Sequence, residues 1–141
     1  MKVLLDTNVI LDVLLNRQPH VEGAKPLFSS IENGFLAGYL CATTVTTISY
    51  LIAKVVGRAQ AQREIQKLLK LFEIAPVTKT VLDSALVAGF SDFEDAVLYE
   101  AARQVEIDAI ITRDTKDFKN SMIPVYSPLE IAYALNLSGE S

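Results

Sequence analysis

Two runs of apolar residues, one near each end of the chain, have the pattern of strands that are buried on both faces. The first is "VLL" at residues 3 to 5, and the second is "AII" at residues 109 to 111. Continuous apolar runs of this length are typical of the central strands of a parallel sheet. Each run leads to an acid, Asp6 after the first and Asp114 after the second. We therefore expect a carboxylate at the end of each buried strand.

Strand-like and helix-like segments alternate along the rest of the chain. Further strands are predicted near residues 39–42, 73–77 and 123–126, and Pro76 makes the middle one an edge strand. Apolar residues at intervals of three and four predict helices at 9–14, 21–33, 43–56, 59–72, 81–88, 92–105 and after Ser127. This alternation predicts a single α/β domain over residues 1–141, with a central parallel sheet of four or five strands and helices on both faces.

Polar residues that can accept a hydrogen bond from a free helical N–H mark four predicted helix starts. They are Thr7 with Asn8, Thr43 or Thr44, Ser91 with Glu94, and Ser127 with Glu130. Pro26 falls inside the second predicted helix, so we expect that helix to be kinked there or to begin later than its apolar pattern.

The composition excludes several classes of protein. Half of the 141 residues are hydrophobic and the net charge is -4, yet no apolar run approaches the roughly 20 residues of a membrane span. The N-terminus lacks the residue series of a signal peptide, and the one cysteine, Cys41, cannot form an internal disulfide. We therefore expect a soluble, cytoplasmic protein. The acidic balance argues against a protein that coats nucleic acid by net charge alone.

The acidic residues fall where the predicted fold can bring them together. Asp6 and Asp114 lie at the carboxyl ends of strands, the edge at which open α/β sheets bind ligands. The other candidates are three acids in the first turn of one predicted helix and one acid after Asp114: Asp92, Glu94, Asp95 and Asp117. Carboxylates packed together repel unless a cation offsets their charge, and hard oxygen ligands select Mg²⁺ or Mn²⁺.

A purely structural interpretation explains some of the same acids. Asp6 could serve only to cap the first helix. Acids in the first turn of a helix interact favourably with the helix dipole without having any function. This interpretation accounts for Asp92 and Glu94 better than for Asp95, which lies further into the helix.

Three segments together resemble the PIN-domain ribonucleases: "LLDTNVILDVLL" near the start, then "SDFEDAVLYEAA", then "IITRDTKDF". The resemblance covers nearly the whole chain and is strongest for the branch in which "DFED" opens the acidic helix. The family includes the VapC-type toxins of bacterial toxin–antitoxin pairs, which are metal-dependent RNA endonucleases. The resemblance implies a PIN-like, Rossmann-like three-layer sandwich, an RNA substrate, Mg²⁺ or Mn²⁺ as cofactor, and a cognate antitoxin and a second copy of the chain as partners.

Carried over to this chain, the resemblance makes Asp6 and Asp95 the firmest metal ligands, with Asp92 as a further candidate. Either Asp114 or Asp117 completes the catalytic set. We favour Asp114 slightly, because the end of a buried strand fixes a side chain better than the turn that follows. The neighbours expected to orient these carboxylates or their waters are Thr7, Asn8 and Thr112.

One feature of the family is missing. The glutamate usually found in the helix after the second strand has no counterpart, because no acid occurs between Thr43 and Ala53. Thr46, Ser49 and Tyr50 lie about where it would be, and they could hold a water on the metal but could not supply charge. We expect Thr46 or Ser49 to act in this way. A single tightly bound ion is therefore predicted.

Basic residues provide two candidate surfaces for RNA. Arg113, Lys116 and Lys119 flank the third acidic segment and are predicted to contact phosphates beside the metal. A second cluster is interpreted as the solvated face of amphipathic helices: Lys54, Arg58, Arg63, Lys67 and Lys70. The tyrosines at positions 39, 50 and 99 are interpreted as core residues rather than as stacking platforms for bases.

Two other functions stay open on the sequence alone. The missing glutamate also fits a catalytically silent domain that binds RNA or protein. A phosphatase or receiver-like domain that holds Mg²⁺ around a phosphoaspartate ranks last. "DTN" lacks the second Asp of the dehalogenase-type phosphatases, and no acid pair precedes Asp6 as in a receiver.

Overall fold

The computed structural model describes residues 1–137. In chain order its elements are β1 (Lys2–Leu5), α1 (Thr7–Leu14), α2 (His20–Glu32), β2 (Ala37–Cys41), α3 (Ala42–Val56), α4 (Arg58–Leu71), β3 (Glu73–Ala75), α5 (Lys79–Leu86), α6 (Phe93–Gln104), β4 (Ala109–Ile111), a 3₁₀ helix (Thr115–Phe118), β5 (Val125–Tyr126) and α7 (Pro128–Ala134). Within this range no helix is both long enough and apolar enough to cross a membrane.

The five strands are parallel and form one sheet in the order β3-β2-β1-β4-β5. Val3 in the central strand β1 pairs with Gly38 on one side and with Ala109 on the other. The predicted parallel sheet is confirmed, and the predicted edge strand is β3. The strand order reverses between β1 and β4, and in open α/β sheets a ligand crevice lies outside the carboxyl ends of the strands at such a reversal.

Helices cover both faces of the sheet, because successive strand residues point to opposite sides. Val3 and Leu5 are fully buried against α1, α2, α3, α4 and α7. Leu4 is fully buried on the opposite face, against α5 and α6. Gly38 allows β2 to pack closely on this framework, since a Cβ there would lie 2.8 Å from the ring of Phe72. The central strand is therefore apolar at every inward position, and polar residues begin only where it ends.

Two helix starts are shifted by one residue from the prediction. Asp6 rather than Thr7 or Asn8 caps α1, since its carboxylate accepts the first helical N–H. Asp92 takes the position predicted for Ser91 at the start of α6, and its carboxylate accepts the N–H of the third helical residue at 3.1 Å. Both carboxylates therefore stabilise the positive end of a helix.

Two further helix starts complete the comparison. Cys41 precedes α3 without a side-chain cap, so the predicted caps Thr43 and Thr44 lie inside the helix. The capping box of Ser127 and Glu130 at the start of α7 is confirmed, because each side chain accepts the backbone N–H of the other residue.

Helix α2 does not begin late. It starts at His20 and continues through Pro26 to Glu32. Because proline has no N–H, the helix lacks one backbone hydrogen bond at this position.

Candidate active site

A small pocket lies at the carboxyl edge of the sheet, where three helices begin. The residues that line it are Asp6 and Thr7 at the start of α1, Thr43, Thr44 and Thr47 from α3, and Glu94, Asp95 and Leu98 from α6. Its volume of about 30 Å³ has room for an ion with a water or two, but not for a nucleotide. Asp6 and Asp95 are thus brought together from distant parts of the chain, as expected.

Asp6 is fixed by the backbone and by two side-chain hydrogen bonds. Its N–H donates to the carbonyl of Ile111 at 2.9 Å, which extends the pairing of β1 with β4 by one residue. One carboxylate oxygen accepts the N–H of Thr7 and the other accepts the hydroxyl of Thr112, each at 2.8 Å. Burial raises the pKa of Asp6 above its ordinary value, and the bond from Thr112 lowers it in part. Asp6 therefore caps α1 and faces the pocket at the same time.

Asp95 lies half-buried in the first turn of α6. Burial raises the pKa of Asp95 from 3.8 to about 7, and the next cause is the negative charge of Asp6. Smaller contributions to this rise come from Asp92, Asp117 and Glu94. Since no basic side chain of residues 1–137 lines the pocket, the helix ends and the hydrogen bonds to Asp6 offset this repulsion. A divalent cation would restore the charge of Asp95 with release of a proton.

The third acidic segment lies near the pocket, at the 3₁₀ helix that follows β4. Asp114 is exposed and lies three residues beyond the end of β4, so the strand does not fix it as predicted. Asn8 holds it instead, by an Nδ2–H that donates to the Asp114 carboxylate at 3.0 Å. The charge of Asp117 raises the pKa of both Asp6 and Asp95, whereas Asp114 contributes only at Asp6. Asp114 is the larger of the two causes at Asp6, so either acid lies near enough to be the third carboxylate.

Thr112 and Asn8 tie the pocket to this segment. The buried hydroxyl of Thr112 donates to Asp6 and accepts the N–H of Asp114 at 3.1 Å. Asn8 donates to the Thr112 hydroxyl at 3.4 Å and accepts the N–H of Arg113 at 3.3 Å. These are the contacts expected of residues that orient carboxylates.

The residues of α3 that line the pocket differ from those predicted to lie in the place of the missing glutamate. Thr43, Thr44 and Thr47 line the pocket. The hydroxyl of Thr46 donates to the carbonyl of Thr43 at 2.9 Å, and Ser49 lines a separate cavity against α4. Neighbouring helical residues are about 100° apart around the axis, so a small error in position selects another face of α3.

The acids at the start of α6 have different surroundings. Asp92 is exposed, caps the helix and is not among the residues that line the pocket. The structure therefore supports its helix-capping interpretation rather than a place among the metal ligands. Glu94 lines the pocket, although nothing in the sequence ranks it above the other acids of this turn.

The three predicted RNA contacts also differ from one another. The guanidinium of Arg113 donates to the carboxylate of Asp12 at 2.7 and 3.3 Å, and Asp12 is 1% exposed. Arg17 forms a second ion pair with the same carboxylate at 3.1 Å. Arg113 is therefore held for structure rather than free to bind phosphate, which corrects the prediction. Lys116 and Lys119 line an open cavity together with Asp117, as a phosphate-binding role requires.

The donor set of the pocket fits a hard divalent cation. It consists of carboxylate and hydroxyl oxygens, without histidine nitrogen or cysteine sulfur among the lining residues, and such oxygens suit Mg²⁺ and Mn²⁺. Within residues 1–137, no three His, Cys, Asp or Glu side chains already stand close enough to hold a metal ion. Asp6, Glu94 and Asp95 are the acids that line the pocket, whereas Asp114 and Asp117 are exposed and do not line it.

The sequence of this chain matches a known protein family. A family model described as a PIN domain matches residues 2–116. The chain belongs to the PIN-domain family. The match includes Asp6, Asp95 and Asp114 and ends one residue before Asp117.

Individual PIN-domain relatives match along most of their length. Ribonuclease VapC1 of Aquifex aeolicus (strain VF5) is 27% identical over 141 residues, which are 96% of this chain and 96% of that protein. FitAcB from Neisseria gonorrhoeae is 25% identical, with a TM-score of 0.66 over 89% of this chain and 97% of that one. A toxin–antitoxin complex from Klebsiella pneumoniae has a TM-score of 0.67 over 91% of this chain and 98% of that one. At 21% identity, this last likeness shows the fold alone.

Proposed function

We propose that the protein is a metal-dependent endoribonuclease and the toxin of a toxin–antitoxin pair. The observation that carries the proposal is the convergence of Asp6 and Asp95 in one small pocket of a PIN domain, with the pKa of Asp95 raised to about 7. The match to a protein named ribonuclease VapC1 supports RNA as the substrate. The chain shares its fold with the Klebsiella toxin–antitoxin complex. A protein inhibitor as partner is part of this proposal, and whether the chain also pairs with a second copy stays a prediction.

The residues of the pocket divide the work of hydrolysis. A bound Mg²⁺ or Mn²⁺ supplies an activated water and offsets charge on the phosphate. Asp6 and Asp95 would hold the cation, with Asp117, whose charge raises the pKa of both, as the third acid. Thr112 keeps the Asp6 carboxylate in place by its 2.8 Å hydrogen bond, while the hydroxyls of α3 orient water. Lys116 and Lys119 contact the phosphates of the RNA strand.

A catalytically silent RNA-binding domain is the second candidate. Thr47 supports it, because this side chain lines the pocket from the helix in which the family usually carries its glutamate, and a threonine supplies no charge. The receiver-like alternative is less compatible with the fold. Its strand order is 2-1-3-4-5, whereas the order here is 3-2-1-4-5.

One experiment separates these functions. The purified protein is incubated with structured RNA, and separately with phosphorylated small molecules, each with Mn²⁺ and with EDTA. We expect RNA to be cleaved with Mn²⁺ but not with EDTA, and we expect no release of phosphate from the small molecules under either condition. RNA binding without cleavage in Mn²⁺ would establish the silent domain, and phosphate release without RNA cleavage would establish a phosphatase.

A further inference from the structure

One stripe of side chains on α3 runs from the pocket to the far end of the helix. It consists of Thr43, Thr47, Tyr50 and Lys54, at positions i, i+4, i+7 and i+11. With 3.6 residues per turn, these four side chains fall within about 60° around the helix axis. Thr43 and Thr47 line the pocket, so the stripe begins at the acids. Tyr50 lies about 5 Å and Lys54 about 10 Å further along the axis than Thr47.

Tyr50 is the exposed aromatic residue of this stripe. Its neighbours Ile48 and Ile52 are buried in the core, whereas Tyr50 is 62% exposed. Tyr99, by contrast, is buried, and its hydroxyl accepts the N–H of Met122 at 3.1 Å. The interpretation of the tyrosines as core residues is therefore wrong for Tyr50. A large aromatic side chain next to a polar pocket is available to a ligand.

The charge around Tyr50 is positive. Lys54 is the only charged residue of α3, and its ammonium lies 4.2 Å from the centroid of the Tyr50 ring. Among residues 1–137, Lys54 forms no ion pair with a carboxylate. The ammonium of Lys54 therefore covers one face of the ring and can also reach a phosphate, while 62% of the Tyr50 surface stays exposed to a ligand.

We propose that Tyr50 and Lys54 form a subsite for one nucleotide of single-stranded RNA beside the pocket. The base stacks on the open face of Tyr50, and the ammonium of Lys54 contacts the adjoining phosphate. The inference rests on the proposed ribonuclease function, and it adds the path along which the RNA strand leaves the acidic pocket. An aromatic face beside an unpaired cation complements a nucleotide, while an acidic pocket alone repels RNA.

The test is RNA binding in EDTA, where metal-dependent cleavage cannot occur. The probe is a short, fluorescently labelled single-stranded RNA of randomised sequence, followed by anisotropy at several salt concentrations. We expect Tyr50→Ala to weaken binding roughly 5- to 150-fold, the range that base stacking on an aromatic side chain covers. Tyr50→Phe should bind like the unaltered protein. Lys54→Gln should reduce the slope of log K against log salt by about 0.7, the value for one phosphate contact on a single strand.

Matched controls come from exposed residues of two other helices. Tyr133 on α7 is 90% exposed, and the side chain of Lys79 on α5 is also 90% exposed. Tyr133→Ala and Lys79→Gln should leave RNA binding unchanged. Circular dichroism melting checks that each variant folds.

The outcomes distinguish this inference from the proposed function. If the unaltered protein cleaves RNA in Mn²⁺ but Tyr50→Ala binds RNA as tightly as it does, the subsite is wrong and the nuclease stands. If Tyr50→Ala loses binding but the unaltered protein cleaves nothing, the subsite stands and the nuclease is wrong. A loss of RNA binding in Tyr133→Ala as large as that in Tyr50→Ala would also overturn the subsite. So would a Tyr50→Ala variant that loses binding to a protein partner but keeps its RNA affinity.

Discussion

Replacing Asp95 by asparagine should make the metal-free protein more stable, and the gain should depend on pH. In the folded protein the pKa of Asp95 is about 7, against an ordinary value of 3.8 in an unfolded chain. Between these values the folded state binds more protons than the unfolded state, so the free energy of unfolding falls as the pH rises. The loss is complete above about pH 7, where the folded protein must carry the charge.

The size of the effect follows from the same two values. One pKa unit corresponds to about 1.4 kcal/mol, so the full difference between 3.8 and about 7 gives an upper limit of about 4 kcal/mol. Asp95 is only half-buried, and solvent screening reduces this to about 1–2 kcal/mol. Asparagine has a similar shape and carries no charge, so Asp95→Asn should recover that amount at about pH 8. At about pH 4.5 it should recover about a quarter of it.

Urea denaturation followed by circular dichroism, with EDTA at both pH values, measures this gain. Asp83→Asn is the matched control, because Asp83 is an exposed acid on α5 whose side chain is 62% exposed and paired with Lys79. In excess Mn²⁺ the order should reverse, since the unaltered protein gains stability from the ion and Asp95→Asn does not. A variant that is less stable than the unaltered protein in EDTA at about pH 8 would refute the reasoning, as would an equal gain at both pH values.

Three further predictions concern the third acid, the missing acid and the arginine. Asp117→Asn should abolish Mn²⁺-dependent RNA cleavage while Asp114→Asn only lowers it, and the reverse order in initial rates would make Asp114 the ligand. Thr47→Glu should tighten Mn²⁺ binding or add a second Mn²⁺ site, as measured by calorimetry. Ser49→Glu should do neither, because Ser49 faces α4. Equal titrations for the two variants would show that neither position faces the ion. Arg113→Ala should lower the free energy of unfolding by about 1–3 kcal/mol and leave the salt dependence of RNA binding unchanged. A smaller slope of log K against log salt in this variant would show that Arg113 does contact a phosphate.

The fold could be predicted because its signals are local. The apolar runs of β1 and β4 have no polar interruption, and the helices repeat their apolar residues at intervals of three and four, so the alternation required a parallel sheet. For α1 the sequence left both Asp6 and Thr7 with Asn8 as possible caps, and for α6 it placed the cap at Ser91, one residue before Asp92. Several adjacent polar side chains can cap a helix, and only packing selects one of them.

The details of the site depend on contacts between distant segments. The choice between Thr47 and Ser49 is set by the rotation of α3 on the sheet, where two residues differ by about 200°. Arg113 looked available for phosphate because its partner Asp12 lies far away in the sequence. Asp114 followed an apolar run and was expected to be fixed by the strand, but β4 ends at Ile111.

Cleavage of end-labelled RNA by the unaltered protein, by Asp6→Asn and by the control Asp83→Asn tests the central claim most directly. The carboxylate of Asp6 is fixed from the backbone of α1 and by Thr112, and asparagine can keep much of this bonding while it removes the charge that holds the cation. The account predicts that the unaltered protein and Asp83→Asn cut RNA in Mn²⁺ and that EDTA stops both. It predicts no cutting by a folded Asp6→Asn at any Mn²⁺ concentration. Cleavage by Asp6→Asn at the unaltered rate, or undiminished cleavage in EDTA, would contradict a metal-dependent site in this pocket.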